Sequence, residues 1–216
     1  MLDGIAFGED GLIPCVTQDH ASGEVLTLAY MSPESLQLTL DTGEVHYFSR
    51  SREEIWRKGE TSGNVQRLRQ LRYDCDGDAI LALVEPAGPA CHTGERSCFY
   101  RQLGGDAETR PDGPRAEGEP TPVPYEALSG LERTLRERAE GRPQGSYTVS
   151  LLDDPQLLAA KVAEEAEEVT RAAREESDRR LAEEAADLLY HLGVVLASRE
   201  VSQTAVMEVL NDRRRR

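Results

Sequence analysis

The stretch GGDAETRPDGPRAEGEPTPVP, residues 104–124, decides how the rest of the chain is read. Gly and Pro make up nine of its 21 residues, and Val123 is its one aliphatic residue larger than alanine. A segment without apolar periodicity has nothing to bury, so it is expected to be a flexible linker with a mean reach of roughly 25 Å. It separates residues 1–103 from residues 125–216, and the two flanking segments differ in pattern.

Before the linker the pattern is β-rich. IPCVTQD, VLTLAYM, EVHYFS, VQRLRQLRY, AILALVE and SCFYR are short, rich in β-branched and aromatic residues, and bounded by Gly or Asp. One helix is expected from Pro33 to about Leu40, with Ser32 as N-cap, Pro33 at its first position and Gly43 just beyond its end. Cys15, between Ile13 and Val16, reads as a small buried hydrophobe. This half is expected to be an α+β, mostly β, domain.

After the linker the period changes to three and four. Leu157, Leu158, Val162, Ala166 and Val169, then Leu181, Ala185, Leu188, Leu192 and Val195, mark helices over Pro155 to about Glu175 and Asp178 to about Arg199. Two more are expected over Tyr125–Gly141 and Ser202 to about Arg213. Four helices with short connections predict an all-α bundle. At about 90 residues its core is thin, and a partner chain, as in a homodimer, would thicken it.

Composition excludes several classes. The net charge of -15 argues against a general nucleic-acid binder. No apolar run reaches the length of a membrane span. MLDGIAFGED has neither a basic n-region nor an apolar h-region, which predicts no secretory signal and a cytoplasmic protein. In that reducing compartment clustered cysteines bind metal or react more often than they pair.

Charge is unevenly placed. Residues 1–49 contain no Lys or Arg, then Arg50, Arg52, Arg57, Lys58, Arg67, Arg69 and Arg72 follow closely. Such a basic island suits an anionic ligand such as a phosphate, and equally a solvated strand face. Lys58 and Lys161 are the only lysines. A compact, titratable ammonium is the property that arginine does not supply.

Three of the four cysteines, Cys75, Cys91 and Cys98, lie between Asp74 and Cys98. The spacing lacks the CxxC pairs of a zinc knuckle. Three thiolates would leave a fourth zinc position open for water, the catalytic arrangement, whereas His92 as fourth ligand would close it. Asp74, Asp76 and Asp78 would share one face of an extended strand, with Cys75 on the other, and three oxygens together suit Mg²⁺. The alternative for DGD is an ordinary polar turn.

SRSREEIWRKGETSGNVQ, DCDGDA and ACHTGERSCF, in that order, with GEVLTLAYM and LDTGEVHYFSRSR upstream, resemble phosphoribosyl-AMP cyclohydrolase over roughly residues 12–102. The resemblance implies an open Zn²⁺ site on Cys75, Cys91 and Cys98, with Cys75 facing a site completed by a second subunit. It implies Mg²⁺ on Asp74, Asp76 and Asp78, and a substrate site lined by SRSR and KGETSGN. Arg50, Arg52, Lys58, Ser62 and Asn64 are then the substrate-binding candidates. The implied reaction opens a purine ring at N1–C6 with zinc-activated water. His92, beside Cys91, is the candidate for proton transfer, against a purely structural role.

In the helical half Glu165 and Glu168 share one helix face, as do Glu184 and Asp187. Acidic surface helices are common, but Glu184 and Asp187 sit inside the apolar run EEAADLLYHLGVVL. Carboxylates on two facing helices are a known metal-site design. GSYTVSLL, KVAEEAEEV and EEAADLLYH resemble phosphoribosyl-ATP pyrophosphohydrolase, of the all-α MazG-like type, over about residues 126–213. That resemblance implies Mg²⁺ on Glu165, Glu168, Glu184 and Asp187. Lys161 would meet a phosphate, and Arg142, Ser146 and Tyr147 would lie in a loop at the site's mouth. Glu164 and Glu167 leave the assignment within EEAEE open. His191 reads as a wall residue more than a ligand. Together the halves imply a bifunctional histidine-biosynthesis hydrolase. The alternatives are a house-cleaning nucleotide pyrophosphatase fused to the cyclohydrolase, or a zinc-stapled domain with a helical dimerisation tail.

Overall fold

A computed structural model describes residue 2, residues 4–101 and residues 124–214; the linker apart from Pro124 lies outside them. The chain forms two compact units, one on each side of the linker.

Among its described residues the first unit has one six-stranded sheet and one α-helix. Its strands are β1 (Ile13–Asp19), β2 (Val25–Met31), β3 (His46–Ser49), β4 (Glu54–Arg57), β5 (Gln66–Tyr73) and β6 (Ile80–Pro86), in the order β4-β3-β2-β1-β6-β5. All neighbours are antiparallel except β1 and β6, which run parallel at the centre. In β1 every second residue from Ile13 to Asp19 is buried, so one face of the strand looks into the core. Cys15 is on that face, and burial pushes its thiol up to about 12.

Helix α1 (Pro33–Thr42) covers that face with Leu36 and Thr39. Its ends follow local rules. Ser32 accepts from the Ser35 N–H, and the Ser35 hydroxyl accepts from the Ser32 N–H, a reciprocal capping box. Gly43 closes the helix at φ 69°, a left-handed conformation that a side chain would strain.

Three expectations need correction. Ser97–Arg101 is not a strand. Residues 90–96 form a tight turn, closed by Ala90 N–H to Arg96 O and Cys91 N–H to Glu95 O. The segment then touches β2 through one backbone bond, Cys98 N–H to Leu26 O, and the Ser97 hydroxyl, which donates to Val25 O. Second, β4 was not foreseen, because EIWR is short and half charged. Third, of the two readings left open for Asp74–Asp78, the polar turn forms and the shared strand face does not: β5 ends at Tyr73, and a turn with Gly77 at φ 78° follows.

The second unit is helical: α2 (Ala127–Gly141), α3 (Tyr147–Asp153), α4 (Pro155–Glu175), α5 (Asp178–Ser198) and α6 (Gln203–Arg214). α4 is capped by Asp154, which accepts from Gln156 and Leu157 N–H, and α5 by Ser177. The short α3 replaces the expected loop, so Tyr147 opens a helix and does not sit in a loop. Ser146 caps it, and it buries Thr148 and Leu151. The core of this unit is thin, being Leu135, Leu151, Leu158 and Val194, while Leu157, Leu189 and Leu192 stay exposed. Among the described residues no helix is long and apolar enough to cross a membrane.

Candidate active sites

In the first unit the turn after β5 gathers the three aspartates. Asp74 accepts from Ala79 N–H at 3.1 Å, and its own N–H donates to Ala79 O. Gly77 lies under the N-terminal segment: its carbonyl accepts from Ala6 N–H, and a Cβ there would stand 2.1 Å from Gly4 O. The carboxylates of Asp74, Asp76 and Asp78 consequently lie within 4.8 Å of one another, all exposed. Burial works to raise Asp74, but hydrogen bonds from Ala79, Asp78 and Gly77 together outweigh it and hold the carboxyl low. Asp78, bonded to Asp74 and facing Asp76, is pushed up. The arrangement suits a hard divalent cation, since oxygens crowd and repel there.

Cys91 and Cys98 form a separate pair. Burial works to raise Cys91, but bonds from Thr93, whose hydroxyl donates to its sulfur at 3.1 Å, and from the Cys98 thiol bring it below its ordinary value. Cys98, also bonded to Thr27, is pushed up by burial and by its neighbour. His92 is exposed, with Nδ1 3.9 Å from the Cys91 sulfur. Cys75 is exposed beside Asp76, and among the described residues no cysteine joins a cluster of three metal-binding side chains within one chain.

The basic island separates by partner. Arg57 pairs with Glu44, and Arg67 and Arg69 with Glu85, a solvated strand face. Arg50 stacks over Tyr30 at 3.9 Å, and Arg52 pairs with Glu54. Lys58 turns inward and is 9% exposed; burial holds its ammonium below the usual range, opposed by the nearby Cys98 and Cys91 sulfurs. Ser62 is exposed and accepts from Asn64 N–H, while the Asn64 side chain lies against Gly88.

Sequence reasoning assigned no role to Arg96. Its guanidinium bridges Asp19 at the end of β1 and Glu24 at the start of β2, and both carboxylates are largely buried. It thus ties the Cys91–Cys98 turn to the sheet. Nothing local in GERSC marks it, because its partners lie more than 70 positions away.

In the second unit Glu165 of α4 meets Glu184 and Asp187 of α5, with their oxygens all within 4.8 Å. Glu165 and Glu184 are buried at 7% and 2% exposure. Burial first, then Asp187 and Glu168, raise the Glu165 carboxyl above its usual range, against His191 and Lys161. Glu184 is paired with Arg180 one turn earlier, a partner that sequence reading missed. The fourth carboxylate of the signature, Glu168, stands outside this cluster and pairs with Arg171 at 3.3 Å. Glu164 faces Lys161 at 2.7 Å. Tyr147, half exposed, directs its hydroxyl to His191, and Arg142 pairs with Asp153.

Comparison with known proteins covers both units. Residues 27–100 match the family model of phosphoribosyl-AMP cyclohydrolase, and residues 128–214 that of phosphoribosyl-ATP pyrophosphohydrolase. The histidine biosynthesis bifunctional protein HisIE of Bacillus subtilis is 46% identical over 98% of this chain and 95% of its own length. HisIE of Parasynechococcus marenigrum is 46% identical over 99% and 94%. HisIE of Caldanaerobacter subterraneus is 43% identical over 97% and 96%. Strand-rich and helical units in the same order, matched along nearly their whole length, show that the chain belongs to the family of bifunctional histidine-biosynthesis proteins that join a phosphoribosyl-AMP cyclohydrolase to a phosphoribosyl-ATP pyrophosphohydrolase.

Proposed function

We infer that the helical unit cleaves phosphoribosyl-ATP to phosphoribosyl-AMP and pyrophosphate, and that the strand-rich unit then opens the adenine ring of phosphoribosyl-AMP at N1–C6. The observation that carries the first step is the convergence of Glu165, Glu184 and Asp187 from two helices beside the apolar core. Three carboxylates gathered with one arginine between them repel, and a divalent cation relieves that repulsion. Mg²⁺ held there supplies, when bound, positive charge against the departing pyrophosphate. Glu168, one turn from Glu165, is close enough to join on rotating away from Arg171. Lys161 lies on the same helix face, with its ammonium free to exchange Glu164 for a phosphate.

In the strand-rich unit Cys91 and Cys98 offer two adjacent soft donors. A zinc ion there needs a third sulfur, and we assign it to Cys75 of a second copy, since Cys75 is exposed and apart from the pair. When bound, the zinc supplies a polarised water for addition at C6, which is electron-poor because N1 is alkylated. His92, exposed beside Cys91, moves protons as the ring opens. Buried Lys58 sits beside the sulfurs, which suits it to a group close to the reacting ring more than to a distant phosphate. Arg50, Arg52, Ser62 and Asn64 remain the candidates for the two phosphates. Mg²⁺ fits the exposed aspartate trio. A homodimer fits the same picture, and the exposed Leu189 and Leu192 of the thin helical core favour it.

The test is incubation of the full chain with phosphoribosyl-ATP, following pyrophosphate release and the absorbance change of ring opening separately. Both should appear, with release first. Release from ordinary nucleoside triphosphates at comparable kcat/KM would instead favour a house-cleaning activity.

A further inference from the structure

We propose that His191 is a positioning residue of the pyrophosphate-releasing site, and that its imidazole joins Tyr147 to the carboxylate cluster so that α3, α4 and α5 act as one rigid frame. The proposal rests on the reading of Glu165, Glu184 and Asp187 as that site.

The ring is 5% exposed, and both nitrogens have partners. Nδ1 lies 2.9 Å from the backbone carbonyl of Asp187, one turn earlier on α5. A carbonyl only accepts, so Nδ1 carries the hydrogen. The same N–H edge faces Glu165 Oε1 of α4 at 3.6 Å. Nε2 faces the Tyr147 hydroxyl of α3, 3.2 Å away, and in the Nδ1–H tautomer it accepts from that hydroxyl. The ring thus touches three helices at once.

The plane of the ring is fixed as well. It packs edge-on against Tyr147 at 6.1 Å and Tyr190 at 5.2 Å. The Tyr190 hydroxyl bonds Thr148 at 2.8 Å, and Arg138 of α2 donates to Thr148 at 3.1 Å. With its hydrogen directed to His191, the hydroxyl of half-exposed Tyr147 keeps acceptor capacity, suited to a hydroxyl or amino donor of the bound nucleotide.

The experiment uses the full chain. With ¹⁵N-labelled histidine, NMR should show a buried Nδ1–H imidazole whose unprotonated Nε2 resonance moves in Tyr147→Phe. A dominant Nε2–H tautomer for His191 overturns the proposal. His191→Asn puts an amide donor where Nδ1 was and leaves Tyr147 without its acceptor; His191→Gln does the reverse. His191→Asn and Tyr147→Phe should each raise KM for phosphoribosyl-ATP about tenfold, and the double variant should be no worse than either, because they break one interaction. His191→Gln should instead weaken Mn²⁺ binding, followed by its paramagnetic signal, about tenfold, as loss of a group supporting metal ligands does. Multiplying KM effects, or parental Mn²⁺ binding in His191→Gln, overturns the proposal. A Glu184→Gln protein that still releases pyrophosphate would refute the underlying site instead.

Discussion

Replacing Glu165 by Gln should make the metal-free protein more stable and the enzyme inactive. In the cluster the oxygens of Glu165, Glu184 and Asp187 lie within 4.8 Å of one another. The carboxylate is covered by its immediate neighbours, but the bundle is thin and water is near, so an effective dielectric of about 20 applies. At that value each ionised neighbour at this distance repels by about 3.5 kcal/mol. Glu184 is largely compensated by Arg180, which leaves Asp187 as the main opponent. A buried amide without ideal partners takes back roughly 1–2 kcal/mol. The net gain is about 1.5–2.5 kcal/mol, or roughly 6–20 °C in melting temperature for a unit of this size. The pH dependence has a definite sign. Burial, then Asp187, holds the Glu165 carboxyl above its usual range. The folded state therefore binds the proton more tightly, and the parent loses stability as pH rises from the usual carboxylate range through the raised value. Glu165→Gln removes that slope. Mg²⁺ should reverse the order: at one hundred times its dissociation constant it stabilises the parent by about 2.7 kcal/mol, and the variant by far less. Thermal melts followed by the helical signal, with and without Mg²⁺ and across pH, measure all of this, and pyrophosphate release should drop about 100-fold or more. A variant that melts below the parent without metal, still gains fully from Mg²⁺ and releases pyrophosphate within a few-fold would refute the reasoning.

Cys91→Ser and Cys98→Ser should abolish ring opening of supplied phosphoribosyl-AMP and leave pyrophosphate release intact, which parallel assays on one preparation would show; ring opening by a zinc-free Cys98→Ser protein would contradict it. Arg96→Met removes the guanidinium that bridges two largely buried carboxylates, Asp19 and Glu24, so the strand-rich unit should lose about 3 kcal/mol in urea unfolding; Arg96→Lys should recover part of the loss and of the ring-opening rate. Gly77→Ala forces a Cβ onto Gly4 O at a φ of 78°, so it should destabilise the same unit by at least about 1 kcal/mol. Divalent-ion binding at the aspartate trio should weaken with it, as calorimetric titration would report.

What could be read in advance was mostly local. The start and stop of α1 lie in Ser32, Pro33 and Gly43, and the alternation of β1 placed Cys15 inside. The helix periods and the two carboxylate-bearing faces were legible for the same reason. What was hidden depends on partners far along the chain. Thr148 and Val149 are β-branched and gave no helical signal. Their helix exists because Ser146 caps it and Leu151 finds the core. DCDGD could be read as a strand by alternation or as a polar turn, and the left-handed Gly77 under Gly4 decides for the turn. The basic island was ambiguous because Glu44 and Glu85, which neutralise three of its arginines, are not adjacent to it in sequence. That Lys58 turns inward beside the cysteines had no signal in the residues around it.

The parallel ladder at the centre of the sheet sets a timetable for synthesis. Thr17 of β1 pairs with Ala82 of β6, so β1 waits for some 65 further residues before its second neighbour exists. The β1–β2 hairpin forms from neighbouring chain, but the other edge of β1 stays unpaired until β6 has left the ribosome. Non-local closure of this kind is slow, whereas the main packing of the helical unit, α4 against α5, joins successive elements and forms faster. The slow unit is made first. At about 5–20 residues per second, the roughly 130 residues that follow β6 in this sequence take on the order of 6–26 s to make, time in which the sheet can close. A fusion in the opposite order would release the strand-rich unit with no such interval, its unfinished sheet edge exposed in a free chain.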